Sequence, residues 1–201
     1  HLKKDILDQL SGKFYMANMG VSNLEQGIPK LMFSIGVRNT KTTQDFIAKM
    51  LKQDGVKATT RTFQGETIVE FEAPNNVTPG LCVVNDSILV SSDVSLVEQA
   101  IRGDRAQKPL AESPMYRQIA KAFPEKVSIV SFQQTDEQVK VIYEAARNGD
   151  LNNADIPAEV KDFLETLPPF EAIKKYLPVS GSYTIPDENG VLMVSFSQMK
   201  E

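Results

Sequence analysis

The chain has 201 residues, 41% hydrophobic and 24% charged, a composition typical of a globular protein with a sizeable core. Its net charge of -4 argues against general nucleic-acid binding, which requires a clustered basic surface. No apolar run approaches the roughly 18 residues that a membrane span requires, so we expect no membrane span in this chain.

The N-terminal quarter of the chain predicts a helix, two strands and a second helix. Apolar residues at helical spacing over 2–10 predict the first helix, which Ser11-Gly12 ends before a strand over 13–19. A loop then leads to a second strand over 31–38. A cap-like Thr-Thr-Gln-Asp sequence opens the next helix, whose apolar stripe consists of Phe46, Ile47, Met50 and Leu51.

Residues 56–73 predict a β-hairpin whose register follows from its turn. A two-residue turn at Gln64-Gly65 places Phe63 opposite Glu66 and Arg61 opposite Ile68. One face is then apolar or threonine-rich and the other carries complementary charges, with Arg61 diagonal to Glu70. The pattern is typical of a half-exposed antiparallel pair, so these charges have a structural explanation.

Residues 80–103 predict a strand, a two-residue turn, a second strand and a capped helix that ends at Gly103. The two strands, Leu81–Val84 and Ile88–Val90, are continuous apolar runs on either side of a polar Asn-Asp turn. Such runs are typical of strands inside a sheet that is covered on both faces.

The second half predicts four helices, a strand and a closing hairpin. Ser113-Pro114 begins the first helix, a strand follows over 127–133, and a Thr-Asp-Glu-Gln capping box opens the second helix. Residues 148–155 form the expected flexible connection to two further helices, which are separated by a Pro-Pro sequence. The last hairpin pairs 179–185 with 191–197 through a turn over 186–190.

This half also suggests an internal helix-strand repeat. Tyr116, Ile119, Lys121, Phe123 and Pro124 recur 54 positions later as Phe170, Ile173, Lys175, Leu177 and Pro178. Each stretch leads into a segment that begins Val-Ser. Duplication of a helix-strand unit and chance similarity of two amphipathic helices both explain the pattern.

These elements predict an α+β protein with a mainly antiparallel sheet and helices packed on one face. The rival is a doubly wound parallel sheet, in which the hairpin partners would not pair. We expect a single domain over 1–201, with a subdivision, if there is one, near 104–112 or 148–155. The predicted core consists of Val83, Leu89, Val97, Ile101, Ile119, Phe123, Ile129, Ile142, Phe163 and Met193.

The residues that most often carry chemistry are scarce in this chain. His1 is the only histidine and is terminal, so a Ser-His-Asp or Cys-His arrangement is not expected. Cys82 is the only cysteine, and its apolar strand indicates a structural thiol. No glycine pattern matches a phosphate-binding loop. We therefore expect no catalytic residue, no cofactor and no metal site.

Two alternatives to a non-catalytic module stay open. An enzyme could use carboxylate, Arg or Tyr chemistry without histidine, and its strand-borne polar candidates are Arg38, Arg61 and Glu70. A carrier of a hydrophobic ligand or lipid could line an adaptable pocket with flexible apolar side chains. Its candidate pocket residues are Met16, Met19, Met115, Phe163 and Phe170, although such residues at helical spacing more often belong to a plain core.

A family resemblance rests on the strand-Ser-Asp-helix sequence over 88–101, Pro109-Leu110, the Ser-Pro-Met-Tyr helix start at 113–116 and the closing hairpin. With these motifs the chain resembles a bacterial family of exported, multi-module proteins known only as a domain of unknown function. The resemblance implies an extracytoplasmic or cell-envelope location, although the N-terminal residues show no signal-peptide pattern. We expect a structural or protein-interaction module whose partner is another protein or another module of the same chain.

Overall fold

The computed structural model describes residues 7–21, 29–53, 55–74, 77–103, 109–134, 136–149 and 157–199. The chain divides into two compact units, His1–Ala106 and Gln107–Glu201. Each unit contains a sheet, and every strand pair that the structure describes is antiparallel. The predicted α+β class with a mainly antiparallel sheet is confirmed. Whether the two units constitute one domain stays a prediction.

The first unit is built on a six-stranded sheet in the order β1-β2-β6-β5-β4-β3. A short 3₁₀ turn over Leu7–Gln9 precedes it. The sheet and its two helices run in chain order as β1 (Leu10–Val21), β2 (Pro29–Val37), α1 (Thr40–Met50), β3 (Ala58–Phe63), β4 (Glu66–Phe71), β5 (Gly80–Val84), β6 (Ser87–Ser91) and α2 (Val94–Arg102).

The core of this unit lies between the central strands and α2. It consists of the buried side chains of Ile68, Cys82, Val84, Leu89 and Val97. Successive strand residues point to opposite faces, so β5 and β6 can bury both faces only if each is covered. The continuous apolar runs at 81–84 and 88–90 predicted that both faces of these strands are covered.

The two helices of the first unit cover opposite faces of the sheet. α2 packs on the face that carries Cys82 and Leu89, whereas α1 lies over the face that carries Leu81 and Ile88. The prediction of helices on one face is therefore wrong for this unit. Since β5 and β6 are apolar on both faces, one layer of helices would have left half of their apolar surface in water.

The hairpin over 56–73 has the predicted register. Phe63 pairs with Glu66 and Arg61 pairs with Ile68, and the turn residues Gln64 and Gly65 have φ values of 49° and 88°. The β5–β6 turn also has positive φ at both central residues. This turn type matches the right-handed twist of the flanking strands.

Of the predicted N-terminal helix, the described residues retain only the 3₁₀ turn over Leu7–Gln9. Residues 1–6 lie outside the described residues, and Leu10 begins β1 instead of ending a helix. Leu10 pairs with Val37, and the backbone N–H of Arg38 donates to the carbonyl of Gln9. Pairing with β2 outweighs the local helical spacing, because propensity is a weak determinant beside tertiary contacts.

The second unit has a three-stranded sheet in the order β7-β8-β9. A 3₁₀ turn over Leu110–Glu112 is followed by α3 (Pro114–Ala120), β7 (Ile129–Gln134), α4 (Asp136–Arg147), α5 (Ala158–Glu165), α6 (Phe170–Lys174), β8 (Val179–Asp187) and β9 (Gly190–Gln198). The closing hairpin is longer than predicted, because its strands continue to a tight turn at Glu188-Asn189. The predicted flexible connection at 148–155 falls mostly outside the described residues.

The α3 helix packs on β8 at a glycine. The Ser113 side chain accepts a hydrogen bond from the Tyr116 N–H at 3.4 Å, so the predicted helix start is confirmed. A Cβ at Gly181 would lie 2.5 Å from the Ile119 methyl group Cγ2, so only glycine allows this approach. Helix and strand succeed each other at α3–β7 and at α6–β8, and duplication stays a prediction.

Six of the ten predicted core residues are buried or partly buried. Val83, Leu89, Val97 and Ile119 are buried, and Ile101 and Phe123 are partly buried. The other four are between 59% and 68% exposed, which corrects the prediction for Ile129, Ile142, Phe163 and Met193. Ile129 and Met193 share a register row with Thr184, on the sheet face opposite Gly181 and α3. The spacing of apolar residues along a strand does not show whether helices cover one face of its sheet or both.

Candidate functional site

An apolar pocket of about 320 Å³ lies beside α1 in the first unit. The helix contributes Thr43, Phe46, Ile47, Met50 and Leu51 to its wall. The opposite wall consists of Gln9, Leu10, Val37, Val56, Phe71, Leu81 and Ile88. Only Gln9 and Thr43 among these residues are polar, so the pocket presents hydrocarbon almost throughout.

Three side-chain hydrogen bonds fix the first half of α1. Asn39 caps the helix by accepting from the Thr42 N–H at 2.9 Å. The Thr40 hydroxyl donates to the Asp86 carboxylate at 2.8 Å, and the Gln44 amide donates to the Val83 carbonyl at 3.0 Å. The last two bonds connect the helix to β5 and to the β5–β6 turn, while the apolar stripe from Phe46 onward faces the pocket.

The pocket offers few hydrogen-bonding groups to a ligand. The Thr43 hydroxyl already donates to the Asn39 carbonyl at 2.9 Å within the helix. The Gln9 carbonyl accepts from the Arg38 N–H at 2.7 Å, which leaves its side-chain amide as the main polar group in the wall. The site can therefore bind apolar groups, and at most one small polar group beside Gln9.

The free edge of β1 is a second unusual feature of the first unit. Among the described strands β1 pairs only with β2, and it forms one end of the sheet. Four large apolar side chains of this strand, those of Phe14, Tyr15, Met16 and Met19, are between 55% and 64% exposed. Natural edge strands are usually short or charged, because free backbone N–H and C=O groups pair readily with other strands.

The charged residues of the β3–β4 hairpin form a network with α2. The Arg61 guanidinium donates to Glu70 through Nε and to Glu98 through Nη2, and Arg102 pairs with Glu98 at 3.2 Å. The hydrogen bonds that Arg61 donates to Glu70 and, to a smaller extent, to Glu98 raise the pKa of Arg61. Both guanidinium groups lie within 5.8 Å of the Phe63 ring centroid. The network ties the hairpin to the helix.

The three residues predicted for a histidine-free enzyme therefore do not form one site. Arg61 and Glu70 pair in the network described above, whereas Arg38 donates from Nε to the Leu10 carbonyl at 3.0 Å, where β1 begins. Burial, and to a smaller extent Glu66, raises the pKa of the Cys82 thiol to about 11, which disfavours a thiolate nucleophile at neutral pH.

None of the five predicted ligand-pocket residues lines this pocket. Met16 and Met19 are exposed on β1, and Phe163 is exposed on α5. Met115 is partly buried in α3, and Phe170 is buried with its ring centroid 5.9 Å from that of Tyr143. A ligand role for these residues stays a prediction. The helix stripe that lines the pocket was recognised in the sequence, but only as a packing surface.

The second unit has a polar depression of about 330 Å³ on its sheet. Two register rows supply its hydroxyl and amide groups, namely Ser131, Ser182 and Ser195, and Gln133, Ser180 and Ser197. In the part of the chain that the structure describes, no group of three or more His, Cys, Asp or Glu side chains could hold a metal ion. No described helix is long and apolar enough to cross a membrane.

The fold and these sites define an α+β protein with a small apolar pocket and an exposed edge strand. The family described as "Protein of unknown function (DUF3352)" matches the chain over residues 2–167, and the chain belongs to this family. The resemblance to a domain of unknown function is thus confirmed, and the bacterial and exported character of the chain stays a prediction. No curated protein and no solved structure matches the chain.

Proposed function

We propose that this chain is a non-catalytic protein-interaction module of a larger exported bacterial protein, and that it binds another polypeptide along the free edge of β1. The observation that carries this proposal is the exposed apolar surface of a long edge strand. β1 has twelve residues, and Lys13 is the only charged one. The opposite edge strand, β3, has six residues.

Both faces of β1 contribute to the proposed interface. Phe14 and Met16 point to one face of the sheet and Tyr15 points to the other, because side chains alternate along a strand. An added strand would gain main-chain hydrogen bonds along the edge and apolar contacts on both sides. The partner is therefore an extended, weakly charged segment of a protein, or of another module of the same parent chain.

Site-specific photo-crosslinking in the full-length parent protein tests this interface. Tyr15 is replaced by a photoreactive benzoylphenylalanine, and Ile142, which is also exposed, carries the same group in the control. We expect one discrete crosslinked product from position 15 and none from position 142. Phe14→Lys on the same strand should abolish the product, since edge lysines oppose strand pairing. Identical products from positions 15 and 142, or none from position 15, would contradict the proposal.

The non-catalytic part of the proposal is supported by the engagement of the polar candidates. Arg61 and Glu70 pair with each other, and Arg61 also contacts Glu98, so these side chains are occupied in joining β3, β4 and α2. A panel of hydrolase and transferase assays on pure protein tests it. Reproducible turnover that disappears in Arg61→Met or Glu70→Gln would overturn it.

The exported location rests on the family resemblance alone, and cell fractionation tests it. We expect the full-length parent protein, followed with an antibody, in the envelope or extracellular fraction. Recovery in the cytoplasmic fraction, together with a cytoplasmic marker enzyme, would contradict this part of the proposal.

A further inference from the structure

We propose that the apolar pocket beside α1 is a binding site for a small uncharged apolar molecule, such as a single aliphatic chain. The proposal is independent of strand addition at β1, because the exposed residues Phe14, Tyr15 and Met16 do not line the pocket. The sequence left open a carrier of a hydrophobic ligand. The pocket proposed for that ligand is lined by residues other than the five predicted.

The volume of the pocket is sufficient for a small ligand. Small-molecule sites begin at about 300 Å³. The pocket, at about 320 Å³, lies at the lower end of that range. An enclosed apolar cavity of ~150 Å³, about half this volume, already binds benzene.

The lining disfavours ordered water as the occupant. A buried water needs two to four polar partners. The Thr43 hydroxyl already donates within the helix, which leaves the Gln9 side chain as the main partner. An apolar molecule would instead cover Phe46, Ile47 and Met50 of the helix and Leu81 and Ile88 of the sheet.

The hydrogen bonds of α1 explain why the helix does not collapse into the space. Gln44 is bonded to the β5 backbone and Thr40 is bonded to the β5–β6 turn, so the position of the helix is set by its polar first half. The apolar second half cannot move onto the sheet unless these bonds are lost. Met50, 44% exposed, is at the accessible side and can adapt its conformation to a ligand.

Methyl NMR on the full chain with ¹³C-labelled methionine tests the site, with 1-decanol as the probe. Met50 lines the pocket, whereas Met193, 68% exposed on β9, serves as an internal control for non-specific contact. We expect a saturable shift of the Met50 resonance and no saturable shift of Met193. Absence of a shift at Met50, or equal shifts at both residues, would overturn the proposal.

Filling the pocket provides the second arm of this test. Ile47→Phe should weaken decanol binding roughly tenfold or more, the loss expected when two methylene groups can no longer be buried. The matched control Ile142→Phe, on the exposed side of α4, should leave binding unchanged. Ile88→Phe fills the same space from the sheet and replaces Ile47→Phe if that variant does not fold. Unchanged affinity in a folded pocket variant would refute the site.

Discussion

At the scale of single residues, Arg61 illustrates how a charged strand residue can be structural. Its guanidinium joins Glu70 on β4 to Glu98 on α2, and its Cζ lies 5.8 Å from the Phe63 ring centroid. The planar guanidinium presents several N–H donors at fixed angles, which a lysine ammonium cannot reproduce. The side chain is partly exposed, so salt screens the interaction.

We predict that Arg61→Met lowers the free energy of unfolding and that Arg61→Lys lowers it less. Removing the guanidinium leaves Glu70 and Glu98 without their shared cation, and lysine restores the charge but not the paired hydrogen bonds. Urea denaturation at low and at 1 M salt measures the effect. The loss in Arg61→Met should shrink at high salt, and a salt-independent loss would indicate packing against Phe63 instead.

Asp93 caps α2 and supports a prediction on pH. Its carboxylate accepts from the Ser95 N–H at 2.9 Å and lies 3.4 Å from the Lys30 ammonium. Partial burial opposes ionisation, but the hydrogen bonds from Ser95 and the charge of Lys30 outweigh it and lower the pKa of Asp93. The resulting stabilisation is present above the unfolded pKa of about 3.9 and is lost as pH falls through the folded pKa.

We expect Asp93→Ala to cost about 1 kcal/mol at pH 7, the usual value of an N-cap. Asp93→Asn keeps a cap acceptor and loses only the charge, so its cost should be smaller. Urea denaturation between pH 7 and pH 3 checks both variants. The difference between the native chain and Asp93→Asn should disappear toward low pH. A difference that persists at low pH would exclude ionisation of Asp93 as the cause.

At the scale of elements, the β3–β4 turn offers a stability prediction. Gln64 has a φ of 49°, in the left-handed region that costs an ordinary residue about 1–2 kcal/mol. Asparagine tolerates this region and is preferred before glycine in such turns. Gln64→Asn should raise the free energy of unfolding by about 0.5 kcal/mol, and Gln64→Val should lower it. Thermal denaturation of both variants measures this, and stabilisation by valine would contradict the turn assignment.

Local sequence signals predicted the turns and helix caps well, because turn and cap chemistry depends on neighbouring residues. The register of the β3–β4 hairpin follows from the positive φ values of a turn at Gln64-Gly65. The Ser113 cap follows from a side-chain acceptor three residues before the Tyr116 N–H. Leu10 was misassigned, because its helical spacing competed with a partner strand far along the chain. The side of the sheet on which α1 packs was likewise not encoded locally.

For the same reason, the sequence predicted only one part of the candidate site. The stripe that includes Phe46, Ile47 and Met50 was visible in the sequence as a helix face. The space beneath it was not, because its size depends on where Gln44 and Thr40 anchor the helix to β5 and its turn. Exposure of Met16 on β1 was also hidden, since β1 is long and carries a single charged residue, unlike a usual edge strand.

At the scale of the whole molecule, the family match and the sheets have different boundaries. The match ends at residue 167, after α5, whereas the sheet of the second unit requires β8 and β9. β7 pairs with β8 over Ile129–Gln134, and β8 is the only described partner of β7. The matched segment alone therefore lacks a complete second sheet.

We predict that a chain ending at Leu167 keeps the fold of the first unit and loses that of the second. β7 would lose its ladder to β8, and Ile119 would lose its contact with Gly181. β5 and β6 keep their neighbouring strands and the core around Val97. Hydrogen exchange followed by mass spectrometry measures both units, with the full chain as control. Amides of β5 and β6 should stay protected, while those of β7 and α3 should exchange rapidly. Continued protection of β7 in the shortened chain would show that the second unit does not depend on β8 and β9.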